Sequence, residues 1–286
     1  MHPLRSFGSL MAACEKRLYQ DNRRQGIYYA SCGTGIGLLS GTVISSTALA
    51  TYLACGGRAL IDAAKNVGDE LESGDLEGAR VATGRIVGRE TDQLSEGELS
   101  RAAIETVAEN TVDAVIAPMI SAVIGGAAGV LGYRAVNTLD ALVGYRNSKY
   151  SNFGWASARL DDVLNYIPAR IAALFVIVVR PRRARDVWRA VRRDARKNPS
   201  PNAGVIESAF AGALGLRLGG ENTYAGVTEL RASLGDGDAP EPRDIARANR
   251  LSRDVGDAVA ISMVASSIAL MWWRSLRRHS NVGSAR

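Results

Sequence analysis

The residues with most chemistry to offer lie between positions 100 and 170. Glu105, Glu109 and Asp113 follow one another at i, i+4 and i+8, which sets three acids along one helix face. Like charges at that spacing repel, so Mg²⁺ or an arginine is expected among them. The alternative is a solvated acidic stripe. Asn110 adjoins the stripe. Asn137 and Asp140 stand at i, i+3, and so do Asp162 and Asn165, with Asp161 beside them. Each pair offers a carboxylate and an amide on one face, or an ordinary helix cap. Arg134, Arg146, Arg159 and Arg170 surround these acids. Their guanidinium forks match phosphate or carboxylate, so they either bind an anion or salt-bridge the same acids. An oxygen-rich set of this kind suits Mg²⁺ rather than Zn²⁺.

Scarce residue types narrow the chemistry. The 286-residue chain has two histidines, His2 and His279, near its opposite ends, so a histidine-based triad or metal site would have to use a terminal residue. Lysines occur only at 16, 65, 149 and 197, and no GxxxxGK[ST] loop is present. Cys14, Cys32 and Cys55 have no CxxC spacing and read as packing residues. The formal charge of +6 is concentrated in residues 180–197 (RPRRARDVWRAVRRDARK), with nine basic and two acidic residues. That run reads as a juxtamembrane helix or a lipid contact. A nucleic-acid partner is not expected, because Trp188 is its one aromatic residue and no recognition fold surrounds it.

The elements that must position these groups read as helices throughout, with no alternating strand pattern. Residues 27–55 carry no charge and are long enough to span a bilayer, and Gly33, Gly35, Gly37 and Gly41 suggest close helix packing. Residues 58–94 read as an amphipathic helical pair, and Ser95 with Glu98 forms a capping-box signature. The next helix runs toward Pro118 and into an apolar run, residues 115–132, interrupted at Gly125-Gly126. Residues 171–179 are too short to span unless Asn165, Pro168 and Arg170 lie at an interface or in a protein-lined cavity. NPSPNAG reads as a loop, VIESAFAGALGLRLGG as a helix ended by Gly219-Gly220, and residues 233–243 as a surface loop. Residues 258–273 form a last apolar helix ending in Trp272-Trp273 and basic residues, an interfacial anchor. The fold class is therefore an all-α, multi-pass helical membrane protein. It is one domain over 1–286, with polar helical or loop insertions at 56–110 and 180–255. The basic segments do not fix the topology: four spans would place residues 180–197 opposite the basic N-terminus. Residue types alone leave two functions open, an enzyme acting on a Mg²⁺-bound phosphate compound and a membrane transporter or signalling protein.

Five stretches resemble the CbiB/CobD family: GRIVGRETDQLSEGELSRAAIETVAEN, ETVAENTVDAVIAP, YRAVNTLDALVGYRN, FGWASARLDDVLNYIPARI and SPNAGVIESAFAGALGLRLGG. The likeness is close over residues 75–232, and HPLRSFGSLMAACEKRLY is similar to the family's HPVRxxG segment. These are membrane-bound adenosylcobinamide-phosphate synthases of cobalamin biosynthesis. The resemblance implies amide formation between a propionate of adenosylcobyric acid and aminopropanol or aminopropanol phosphate, with ATP and Mg²⁺. It also implies a place in the cell membrane, with room for a homo-oligomer. The resemblance does not fix residue roles one by one; residue type then assigns Glu105, Glu109 and Asp113 as the catalytic acids, Glu109 being the base. Asp113, Asp140, Asp161 and Asp162 hold Mg²⁺. Arg134, Arg146, Arg159 and Arg170 hold phosphates, and Asn110, Asn137, Asn165 and Asn202 orient substrate. The chain departs from the family in three places. Ala114 stands where Gly is usual, Ala141 where Ser is frequent, and the apolar helix that usually precedes the HPVR segment is expected to be missing.

Overall fold

The structure, a computed structural model, describes residues 3–145, 147–224 and 227–283. Among the described residues, two helices are long and apolar enough to cross a membrane: α2 (Arg23–Ile44) and the continuous run that contains α6 (Glu96–Thr111) and α7 (Ala117–Val143). A third candidate is the pair α8 (Trp155–Leu164) and α9 (Tyr166–Val179), bent by 42° at their junction. Apolar side chains stay exposed on the first two, among them Leu39, Val43, Val123 and Ile124. A surface of this kind suits lipid better than water. The architecture is thus that of a multi-pass helical membrane protein.

Glycine sets the contact between α2 and α7. A Cβ on Gly37 would lie 2.5 Å from Ala135 Cβ, and one on Gly41 would lie 2.3 Å from Ala128 Cα. Gly33 packs on Leu139 and Gly26 on the Phe153 carbonyl, whereas Gly35 meets nothing. Positions 33, 37 and 41 are one helical turn apart, so removing their side chains lets two backbones approach along a single stripe. Gly35 lies off that stripe. Cys32 also faces outward, so it is not a packing residue.

The helix from Glu96 begins with the capping box expected of Ser95 and Glu98. It then changes pitch. Residues Val112–Ile116 form a π turn, with Ala117 N–H donating to the Val112 carbonyl. Pro118 has no N–H to return to Ala114, and the Ala114 carbonyl instead accepts from Gly56 N at 3.0 Å. Further on, the apolar run breaks at Gly126, whose φ of 57° and ψ of −146° suit a residue without Cβ.

The rest packs around this axis. α1 (Pro3–Leu18) and α3 (Thr47–Ala54) lie beside α2 and α7. α4 (Gly57–Ser73) and α5 (Leu76–Gly84) form the amphipathic pair, resting on α6. α10 (Ala184–Asp194) carries the basic run, buries Val187 and Ala190 against α11 (Ala203–Leu214), and leaves Trp188 exposed. The final helix, α12 (Pro242–Gly283), is longer than the sequence suggests, because residues 258–273 continue a helix that starts at Pro242. Its first half is core, with Ile245, Ala248, Leu251 and Val255 buried; beyond Val259 its apolar residues Ile261, Val264 and Ile268 are exposed. Trp272 is exposed too, while the Trp273 side chain lies outside the described residues.

The all-helical expectation fails in one segment. Residues after α11 form an antiparallel hairpin, β1 (Leu218–Tyr224) and β2 (Val227–Leu234). The glycine that ends α11 is Gly215, in the left-handed region, and Gly219 and Gly220 mark a bulge in β1 with φ of 81° and 110°. β2 also takes the first two residues of the segment read as a loop.

A leucine at position 37 should therefore wedge α2 from α7. We expect Gly37→Leu to cost about 1–3 kcal/mol of stability in detergent, read from thermal unfolding, while Gly35→Leu has little effect. Equal melting of the two variants would contradict the packing.

Candidate functional site

α7 brings Asn137 opposite the π turn, and the junction of α8 and α9 brings Asp161 and Asn165 to the same place. Asn137 Nδ2 donates to Asp113 Oδ2 at 3.1 Å and to Asp161 Oδ1 at 3.3 Å. Asn165 Nδ2 donates to the second oxygen of Asp161 at 2.9 Å, and its Oδ1 accepts from the Tyr133 hydroxyl at 2.8 Å. Two carboxylates from different helices are thus joined by amides. Arg134 acts through an amide: its Nη1 donates to Asn137 Oδ1 at 2.7 Å. This arrangement also settles the cap question. Asn137 lies in the body of α7, and the Asn165 side chain makes no cap bond at either helix end.

The acids face a cavity of about 190 Å³ lined by Glu109, Asp113, Asp140, Asp161, Asn165 and Asn202, with Ser200 from the loop before α11. Asp140 leans back over Gly144, where a Cβ would stand 1.9 Å from its Oδ1. Asn202 is held from two sides: its Nδ2 donates to the Asp162 carbonyl at 2.8 Å and its Oδ1 accepts from Arg170 at 3.0 Å. Arg170 also donates to the Pro201 carbonyl and stacks on Tyr166. Arg159 pairs with Asp162 at 3.4 Å on the surface, away from the lining. Arg146 lies outside the described residues.

The three-acid stripe does not act as one cluster. Steps of four residues drift by about 40° each on an α-helix, so the acids diverge. Asp113 joins Asn137. Glu109 lines this cavity and a neighbouring one of about 150 Å³. Asn110 lines the neighbour only and donates to the Thr106 carbonyl. Glu105 is tied to the hairpin: it takes Arg89 Nη2 at 2.8 Å and Gly219 N–H at 2.8 Å. Arg89 continues to the Asn222 Oδ1 on β1, and Arg101 donates to the Gly219 and Glu221 carbonyls. Sequence reasoning missed this clamp, and it missed Glu207, a lone acid in the apolar helix α11. Glu207 is buried, takes Asn198 Nδ2 at 2.9 Å, and lines the second cavity with Glu109. Burial, then the negative charges of Glu109 and Glu105, push its carboxyl well above the usual range. A solitary acid among alanines and glycines was the one signal available.

Among the described residues, no three His, Cys, Asp or Glu side chains gather into a ready-made metal cage. The donor set still fits one metal. Mg²⁺ is commonly bound by one or two carboxylates and completes its shell with water and substrate phosphates. Asp113 and Asp161, facing a cavity beside Asp140, supply that much.

The buried Arg89–Glu105 pair should be a stability element. Its side chains are 5 % and 9 % exposed, so Glu105→Gln leaves a buried guanidinium short of its counter-charge. We expect a loss of about 3–5 kcal/mol in denaturant unfolding; unchanged stability would contradict the clamp.

A sequence profile described as CobD/Cbib protein matches residues 1–252. The protein named "Cobalamin biosynthesis protein CobD" from Mycobacterium tuberculosis is 43 % identical over 276 residues, covering 92 % of this chain and 88 % of its own. Proteins of the same name from Geobacter metallireducens and Rhodobacter capsulatus are 43 % identical over 256 residues and 37 % over 295 residues. These cover 82 % and 95 % of this chain, and 80 % and 90 % of theirs. No solved structure matches at a significant level. The profile spans most of the chain, including every acid, amide and arginine of the site, so the chain belongs to the CobD/Cbib family.

Proposed function

We propose that this protein is an amide-forming ligase of cobalamin biosynthesis. It joins aminopropanol, free or as its phosphate, to a propionate of adenosylcobyric acid, with ATP as co-substrate and Mg²⁺ as metal. Family membership, with relatives named for cobalamin biosynthesis, supports the pathway. The observation that carries the chemistry is the oxygen-lined cavity in which Asp113 and Asp161 are bridged by Asn137.

A carboxylate does not accept an amine unless it is activated. The simplest activation transfers the terminal phosphoryl group of ATP to the propionate oxygen, releasing ADP and leaving an acyl phosphate. The amine nitrogen then attacks the carbonyl carbon, the C–N bond forms, the C–O bond to phosphate breaks, and inorganic phosphate departs. Bound Mg²⁺ would neutralise charge on the transferring phosphoryl group. Asp113, Asp140 and Asp161 are the residues placed to hold it; the Asp162 side chain, paired to Arg159, would serve only from the edge. Arg134 and Arg170 stand one amide away from the cavity, through Asn137 and Asn202, and their forks suit phosphate oxygens. Asn165 and Asn202 line the cavity and would orient the substrate. No histidine lines the site among the described residues, so a carboxylate takes the ammonium proton in this reading, and Glu109 is the acid that faces both cavities. The long apolar helices support a place in the cell membrane, with more than one pass.

The reaction is testable directly. Membranes bearing the chain, given adenosylcobyric acid, aminopropanol phosphate, Mg²⁺ and ATP, should yield the amidated corrinoid. Asp113→Asn should insert normally and lose about 100-fold or more of the turnover. No product from the full chain, or wild-type turnover in the variant, would overturn the reading.

A further inference from the structure

A second cavity lies on the other side of Glu109. Its volume is about 150 Å³, and its lining includes Arg89, Glu105, Glu109, Asn110, Glu207 and Arg231. Three elements far apart in sequence build it: the loop after α5 gives Arg89, α11 gives Glu207, and β2 gives Arg231. Liquid water takes about 30 Å³ per molecule, so the space holds about five waters. A corrin ring or a whole nucleotide does not fit. A molecule of fewer than about ten non-hydrogen atoms does.

The lining offers both signs of charge. Arg89 and Glu105 neutralise one another. Glu109 and Glu207 both line the cavity, and burial, then the charges of Glu109 and Glu105, push the Glu207 carboxyl well above its usual range. Arg231 brings a second guanidinium into the lining. One donor is conspicuous: the Arg89 side chain is 5 % exposed, yet its Nε–H has no acceptor among the described residues. The Asn222 Nδ2, behind Arg89 on β1, is also buried and without an acceptor among them. Buried donors are normally satisfied, and an anionic oxygen would satisfy these two.

We propose that this second cavity binds a small zwitterion, a primary ammonium joined by a short chain to a phosphate, with the Glu109–Glu207 pair receiving the ammonium and Arg89 and Arg231 the phosphate. The inference rests on the ligase reading and deepens it. It seats the amine co-substrate behind Glu109, while the activated carboxyl group occupies the Asp113–Asp161 side. Glu109 then takes a proton from the ammonium on one side as the freed amine attacks toward the other. The hairpin acquires a purpose as well, since Arg231 and Asn222, one of the two partners of Arg89, sit on it.

Isothermal titration of the detergent-solubilised full chain tests this, with aminopropanol phosphate, free aminopropanol and inorganic phosphate as separate probes. The phosphate ester should bind about tenfold or more tighter than either fragment. Arg231→Gln and Glu207→Gln should each weaken it by about tenfold or more, and raise KM for the amine more than they lower kcat. Asp161→Asn, across the wall, should bind it as wild type does. Arg231→Gln decides the matter if Glu207→Gln fails to fold, because Arg231 is only partly buried. Wild-type affinity in Arg231→Gln, or loss of binding in Asp161→Asn alone, overturns the proposal. The two readings fail separately. Binding that follows this pattern without any corrinoid product upholds the cavity and removes the ligase; product formed with a wild-type KM for the amine in Arg231→Gln upholds the ligase and removes the cavity.

Discussion

Two half-buried carboxylates, Asp113 and Asp161, share the single amide of Asn137 between helices. Burying such groups is unfavourable unless each finds donors, and paired acids need a cation or a proton as well. The surrounding structure reads as the means of meeting that requirement. The π turn at Val112–Ile116 aims Asp113 at α7 instead of along the acidic stripe. The bend between α8 and α9 places Asn165 where it can hold Asp161 and accept from Tyr133. The glycine stripe of α2 presses α7 into place from outside the site. π turns recur at functional positions because the extra residue displaces a side chain that a regular helix would carry elsewhere.

The hairpin is the second constraint. Glu105 and Arg101 on α6, with Arg89, fasten β1, and that fastening closes the wall of the second cavity. Glu109, one turn from Glu105 and one from Asp113, is left between the two spaces. A single helix therefore carries a stability contact, a residue facing both cavities, and a group placed for metal or phosphate. The proposed division of labour follows from that order along α6 and the π turn.

Much of this was legible in the residues. The charge-free length of residues 27–55 gave a membrane-long helix there, although the helix observed is 23–44 and a break after it starts α3 at Thr47, and the i+4 spacing of Gly33, Gly37 and Gly41 gave its packed face. Ser95 with Glu98 gave a helix start, and the Gly125-Gly126 interruption is a real break at Gly126. Asp113, Asn137, Asp161, Asn165 and Asn202 do come together. What was hidden depends on distance along the chain. Arg89 meets Asn222 across 133 residues, and Glu207 meets Glu109 across about a hundred; no local pattern announces such pairs. The hairpin was hidden for a different reason. Two adjacent glycines look like a helix stop, and only the paired strand shows that their positive φ makes a bulge. The acidic stripe misled because its spacing is periodic while its partners are not.

The central claim is that Asp113 and Asp161 form a cation site completed by nucleotide phosphates. Electron paramagnetic resonance of Mn²⁺, standing in for Mg²⁺, tests it on the solubilised full chain. The account predicts that the free Mn²⁺ signal falls when ATP and wild-type protein are both present, beyond what ATP alone removes. It predicts that this extra loss disappears in Asp161→Asn. An equal loss in that variant, or none in the wild type, would contradict it.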